Sequence, residues 1–275
     1  MQPHTQRGSD EPAGFGHGKG RVALEIGGVV AALALAIWGA FALASWGAGT
    51  LVALVPAEAE EKLGEYTWEQ VAPASGRCTD PGPMNYVMAV SAPLLAAIDS
   101  PYTFRFAVVD DPSINAFALP GGFVTVHMGL LEAAESGDEV AAVLAHEMQH
   151  VLLRHGVVRI LRQVGGWVLV GTVLGFVDLG SLVGAAVTVV GTGYDRDQER
   201  EADEHGRALL RRARIDPRGM AIFFDRLAKE TAGMTPPEIL STHPGSAERA
   251  EAARAGEGLD GGALTLPSPK GLRCR

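Results

Sequence analysis

Two histidines four residues apart, His146 and His150, enclose Glu147 in a His-Glu-x-x-His run. On a helix, residues i and i+4 share a face one turn apart, so both imidazoles can reach a single metal ion. Glu147 sits beside them, close enough to take a proton from a metal-bound water. A bound Zn²⁺ lowers the pKa of that water to about 7, which gives a hydroxide-like nucleophile at neutral pH. The competing reading is a solvated helix face with two incidental histidines. With eight histidines in 275 residues, chance yields this pattern rarely.

A catalytic zinc usually takes three protein ligands and keeps one position open for water. The candidate for the third is the run Glu199-Arg200-Glu201-Ala202-Asp203. On a helix Glu199 and Asp203 share a face, whereas Glu201 lies about 200° round from Glu199. One carboxylate can bind metal while the other holds a ligand or a substrate group. If Glu199 and Asp203 are the pair that serves the metal, Glu201 and Glu204 stay off it, and neutralising either leaves zinc in place. Taken alone, the run reads as a charged, solvated helix.

His146–His150 together with Glu199–Asp203 resembles the HExxH…ExxAD signature of the zinc metallopeptidase family of the CAAX prenyl protease, HtpX and BepA. Asn115-Ala116-Phe117, followed by Leu119-Pro120-Gly121-Gly122, is similar to that family's strand–turn element ahead of the metal helix. Arg154-His155 continues the helix in the family's usual way, and Ser241-Thr242-His243-Pro244 with Arg249 resembles its late segment. Asp195 stands before Arg196 where a Ser is more usual. The resemblance spans Pro56 to Ala255. It implies one zinc per chain held by His146, His150 and Glu199, with Glu147 as general base and Asp203 as a supporting acid, a proton donor in some relatives. It further implies that His243 approaches the zinc or the oxyanion, with Arg249 beside it. His127 and His155 read as structural, and Tyr194 either polarises a carbonyl or is a hairpin-end aromatic. The implied reaction is hydrolysis of peptide bonds in polypeptides lying extended against a strand near Ala116–Val126.

These residues need elements to position them. Ser136 with Glu139 three residues on is a capping box, opening a helix that runs to about His155. Thr103–Asp110, Ile114–Leu119 and Phe123–His127 read as strands, with Pro120-Gly121-Gly122 as the turn between the last two. Helical patterns cover Tyr86–Ile98 with an interruption at Pro93, Asp197–Arg214, a run from Asp216-Pro217 to about Ala232, and a last short one from Pro244 to about Ala255. Three short strands among helices make an α+β domain, which the resemblance specifies as mainly helical and zincin-like. The expected division is a disordered cytoplasmic tail at 1–21, an anchor at 22–55, the metallopeptidase domain at 56–255 and a disordered tail at 256–275.

No residue between Ile26 and Ala57 is charged, a run longer than the about 20 residues that a membrane-spanning helix needs. It is also too long for the apolar core of a cleaved signal peptide. Arg7, Lys19 and Arg21 precede it and only Lys62 soon follows, so a single-pass anchor in lipid with its amino terminus in the cytoplasm and the remainder outside is expected. A second apolar stretch, Val164–Tyr194, carries Asp178 near its middle. It lies between His150 and Glu199, so one crossing there would separate ligands of the same ion; a buried or interfacial helical hairpin is expected.

The formal charge of −9 argues against a nucleic-acid partner, which calls for a basic face. Two cysteines, Cys78 and Cys274, exclude a Cys₄ zinc module and could form one bridge in an oxidising compartment. Two rival functions remain. One is a chaperone-like or scaffolding protein that keeps the fold but has a plugged site, and intact Glu147 weighs against it. The other is an intramembrane protease, opposed by the cost of burying Glu139, Glu147 and Arg154 in lipid.

Overall fold

A computed structural model describes residues 52–163, 179–232, 235–243 and 262–274, together with residue 259 and scattered helical positions between 26 and 39. Three strands, β1 (Arg105–Val109), β2 (Ala116–Leu119) and β3 (Phe123–His127), form one sheet in the order β1-β3-β2. β3 is central, parallel to β1 and antiparallel to β2, which leaves β2 on an edge. The turn between β2 and β3 depends on glycine. Gly121 and Gly122 have φ of 78° and 97°, and a Cβ on Gly121 would strike the Glu61 backbone.

Both faces of the sheet are covered. Alternation along β1 sends Phe106 and Val108 into the main core and Ala107 and Val109 to the other side. On that other side lies α1 (Ala57–Val71), whose Trp68 packs on Phe123 and donates its indole N–H to Thr125 Oγ1 at 2.8 Å. The main core lies between the sheet and the helices α2 (Pro81–Ala96), α3 (Met128–Ala133), α4 (Gly137–Leu152), α6 (Arg196–Arg212) and α7 (Gly219–Glu230). α2 is continuous through Pro93. The fold is thus mainly helical with a small sheet, as expected.

α4 begins where the capping pattern puts it, with Ser136 Oγ accepting from Glu139 N–H. Only half the box forms. Glu139 Oε2 instead accepts from the Glu135 N–H and pairs with Arg226 at 2.6 Å. The helix stops at Leu152 rather than His155, because Arg154 takes a left-handed φ of 58°. Helical backbone resumes at 155–163. Arg154 is held in that conformation by Glu60, which is buried and also accepts from the Tyr102 hydroxyl at 2.9 Å.

Within the second apolar stretch, α5 (Leu179–Val190) packs Ala186 and Val189 against Ile160. Residues 164–178 of that stretch fall outside the described residues, as does nearly all of the anchor and the last helix expected from Pro244. Among the described residues no helix is long and apolar enough to cross a membrane. A short helix absent from the expectations, α8 (Glu238–Thr242), buries Ile239 and donates its N–H to the Ile114 carbonyl at 3.1 Å.

The carboxyl-terminal segment departs from the expected free tail. Residues 262–274 lie on the domain: Leu266 and Leu272 join the main core and Pro269 is buried. Leu266 and Pro267 lie so close to Gly137, at the start of α4, that a Cβ there would meet Leu266 Cβ at 2.5 Å. Cys274 is disulfide-bonded to Cys78, with Cα atoms 5.3 Å apart. Low local periodicity hid this, because the segment is held by contacts with distant residues and by a covalent link.

Candidate metal centre

α4 and α6 pack side by side and bring the two motifs together. His146 Nε2 and His150 Nε2 are 3.0 Å apart, and Glu199 places Oε2 at 3.6 Å from the first and Oε1 at 3.5 Å from the second. His243, just after α8, puts Nδ1 at 3.2 Å from His146 Nε2 and 3.0 Å from Glu199 Oε1. Ligand atoms of all four side chains lie within 4.8 Å of one another, and all four are buried. Three imidazole nitrogens and a carboxylate converge on one point out of water, where a single cation would be shared by all four. The donor set of histidines and a carboxylate suits a divalent metal of the zinc kind. The residues fit the ion.

The electrostatics agree. Burial by itself raises the Glu199 carboxyl, but His243, His150 and His146 around it outweigh burial and hold it well below the usual carboxylate range. Burial pushes His150 well below its ordinary value, so the ring is neutral and available as a ligand. Glu147 is only 1% exposed, and neither of its oxygens makes a hydrogen bond among the described residues. Burial raises its carboxyl, an effect partly offset by His243 and His146. A buried carboxyl with a raised pKa beside a metal site is what a general base needs.

Asp203 faces α4 beside Glu199, as the helix phase requires, and its Oδ1 lies 2.9 Å from His146 Nδ1. Tyr194 stacks on His150 at 3.7 Å between ring centroids, with planes 8° apart, and Arg159 lies 4.2 Å above the tyrosine ring. It is therefore an aromatic wall of the site. Its N–H donates to the Thr242 carbonyl at 3.3 Å, tying the start of α6 to the segment that carries His243. Arg249 falls outside the described residues.

Two residues set aside on sequence grounds belong to the site after all. His155 Nδ1 lies 2.9 Å from His150 Nδ1, and its Nε2 lies 3.3 Å from Glu201 Oε2. Glu201 does point away from the metal, as its phase requires, yet it is not merely solvated. In an unbroken helix residue i+5 lies about 140° from residue i, so only the break at Arg154 returns His155 to the face of His150. The left-handed residue behind this was not legible in an Arg codon. His127, by contrast, remains structural: Ser113 Oγ lies 2.6 Å from its Nδ1 and Asp111 Oδ1 lies 3.7 Å from that same atom. With both partners on one nitrogen, no Ser-His-Asp relay exists there.

A cleft, open at its mouth, lies beside this centre. β2 forms one wall, and Ile160 with Ala186 and Val189 of α5 forms the other; Glu147, Tyr194 and His243 line the metal end. The edge strand β2 thus runs past Glu147.

The model of Peptidase family M48 matches residues 83–257. The chain is 32% identical over 209 residues to the beta-barrel assembly-enhancing protease of Yersinia pestis, which covers 70% of this chain and 42% of that protein. It is 33% identical over 172 residues to the metalloprotease LoiP of Escherichia coli K12, covering 58% of this chain and 65% of LoiP. With a mitochondrial metalloendopeptidase of Arabidopsis thaliana it shares 33% identity over 149 residues, or 54% of this chain and 30% of that protein. The chain spans about two fifths of the length of the beta-barrel assembly-enhancing proteases it matches. With the match covering more than half of its residues, and with the HExxH and ExxAD side chains gathered at one buried point, the chain belongs to peptidase family M48.

Proposed function

We propose that the chain is a zinc-dependent endopeptidase, anchored by one membrane helix, with its catalytic domain outside the cytoplasm. Glu147 carries the reading, being a buried carboxyl with a raised pKa beside a metal-ligand quartet. His146, His150 and Glu199 hold the ion, one per chain. Zinc, when bound, supplies Lewis acidity toward the scissile carbonyl and lowers the pKa of a coordinated water. Glu147 accepts that water's proton and passes it to the leaving amine. Asp203 accepts from His146 Nδ1–H and so fixes the ring with Nε2 toward the ion. The free edge of β2 pairs with an extended substrate backbone, which selects conformation over sequence and suits unfolded chains.

One observation favours a restrained form of the same site. His243 fills a ligand position with Nδ1 and places Nε2 3.4 Å from Glu147 Oε1, so in this conformation it stands where substrate and water must come. Turnover then requires the His243 side chain to move aside, after which the same imidazole can face the oxyanion.

The membrane and compartment assignments rest on three supports. The uncharged run from Ile26 to Ala57 has more basic residues before it than after it. Ile26, Val30, Leu35 and Trp38 are helical and between 60% and 69% exposed, which suits a lipid environment. The Cys78–Cys274 bridge suits an oxidising space. A relative named for beta-barrel assembly makes envelope protein quality control a fitting role.

The test uses the purified full chain. Glu147→Gln is expected to keep stoichiometric zinc and to lose casein hydrolysis by about 10²–10⁴-fold. In the same assay His243→Ala raises the rate if His243 chiefly restrains the site and lowers it if His243 chiefly stabilises the oxyanion. Persistent cleavage by pure Glu147→Gln removes the enzymatic reading.

A further inference from the structure

We propose that His155 and Glu201 are positioning residues for the metal centre, forming a two-link support that orients His150 and sets its affinity for the ion. The inference rests on the metallopeptidase reading above. His150 faces the quartet with Nε2, which lies 3.0 Å from His146 Nε2 and 3.5 Å from Glu199 Oε1. A neutral imidazole that ligates through Nε2 carries its proton on Nδ1, and that nitrogen can then only donate. Its partner is His155 Nδ1 at 2.9 Å, which must accept. The proton of His155 is thereby fixed on Nε2, the atom 3.3 Å from Glu201 Oε2. Every donor in the chain meets an acceptor, and one tautomer is allowed at each ring.

The consequence lies in how the ligands are supported. α6 supplies Glu199 to the ion, Asp203 directly to His146, and Glu201 through His155 to His150. One helix thus governs all three metal ligands of the two motifs. The two histidines are held differently. His146 has an anionic acceptor within hydrogen-bond distance, whereas His150 has a buried neutral ring whose carboxylate partner is half exposed. The break that permits this is fixed from outside the site. Arg154 adopts the left-handed conformation while bonded to the buried Glu60 of α1 and to the Val55 carbonyl, next to the start of the domain.

The test is a zinc competition titration against a chromophoric chelator, with the melting temperature of each apo chain measured alongside. His155→Leu removes both links and is expected to weaken zinc by about 10–100-fold. His155→Gln keeps an acceptor for His150 and a donor for Glu201, and is expected to restore affinity to within about threefold of the parent. Glu201→Ala cuts only the outer link and is expected to cost about threefold or more. The visible spectrum of the Co²⁺-loaded chain should change in the Leu variant and return in the Gln variant. Parent-like affinity in His155→Leu overturns the support, as does a Gln variant as weak as Leu while both apo chains melt like the parent. Should His155→Leu not fold, Glu201→Ala decides, and unchanged affinity there overturns the proposal. A parent chain that takes up no zinc overturns the metal reading as well, whereas the variant outcomes bear on the support alone.

Discussion

Within six positions of α6 stand Glu199, Glu201, Asp203 and Glu204, yet only one carboxylate reaches the metal point. Helix phase does the sorting. Glu199 and Asp203 differ by about 40° and face α4 together, while Glu201 is turned toward the helical turns at 155–163. Glu199→Gln replaces an anionic ligand with a neutral amide and is expected to lose most of the zinc. Asp203→Asn leaves the ligands intact but turns the group facing His146 Nδ1 into a neutral amide; a loss of about 10–100-fold in affinity is expected. Zinc content by elemental analysis and chelator competition check both. Full retention of zinc by Glu199→Gln would place the wrong carboxylate in the site. Local arithmetic made the i,i+4 histidines legible, and the resemblance of the two motifs to the family signature made the choice of Glu199 legible. The support through His155 was not, since it depends on where a helix breaks.

At the scale of elements, the parts with strong local signals form as their residues dictate. The three strands, the glycine turn and the start of α4 all do so, because Ser136, Gly121 and Gly122 act on their own backbone. α1 gave little notice: its run of five glutamates and one lysine reads as a solvated segment, and its burial comes from Trp68 and Gly64 packing on the sheet. α6 has the most complete cap of the set, with Asp195 accepting from Gln198 N–H at 2.9 Å and Gln198 accepting from Asp195 N–H at 3.4 Å. The Asp195 in place of the family's usual Ser therefore still caps. Burial raises its carboxyl, but the Gln198 amide and Arg162 outweigh burial and hold it below its ordinary value. A depressed folded pKa contributes stability above the unfolded pKa, and that contribution is lost as pH falls through the folded one. Asp195→Ala is expected to cost about 1 kcal/mol at pH 7. The gap should narrow in urea melts below about pH 4, near the unfolded aspartate pKa. A gap that widens in acid would contradict the assignment.

For the molecule as a whole, the metal point joins segments on both sides of the apolar stretch 164–194. His146 and His150 precede it and Glu199 and His243 follow it, yet all four meet at one buried point. The two ends of the domain are secured by different means. The start is fixed by Glu60 and Arg154 packing beneath the metal helix, and the end by Cys274 reaching back 196 residues to Cys78. Cys78 itself donates its N–H to the Val108 carbonyl at 2.7 Å, so the bridge ties the last segment to the flank of the sheet. Between those ends, Leu266 and Pro267 cross the beginning of α4, the helix that carries HExxH. A bridge closing so long a loop limits the unfolded ensemble strongly, and about 2–4 kcal/mol is the usual worth. Cys274→Ser is therefore expected to lower unfolding stability by about that amount, and reductant should lower the parent to the same level while leaving the variant unchanged. Urea unfolding of both chains with and without reductant makes the comparison. A parent indifferent to reductant would mean that the apolar contacts of Leu266 and Leu272 hold the segment by themselves.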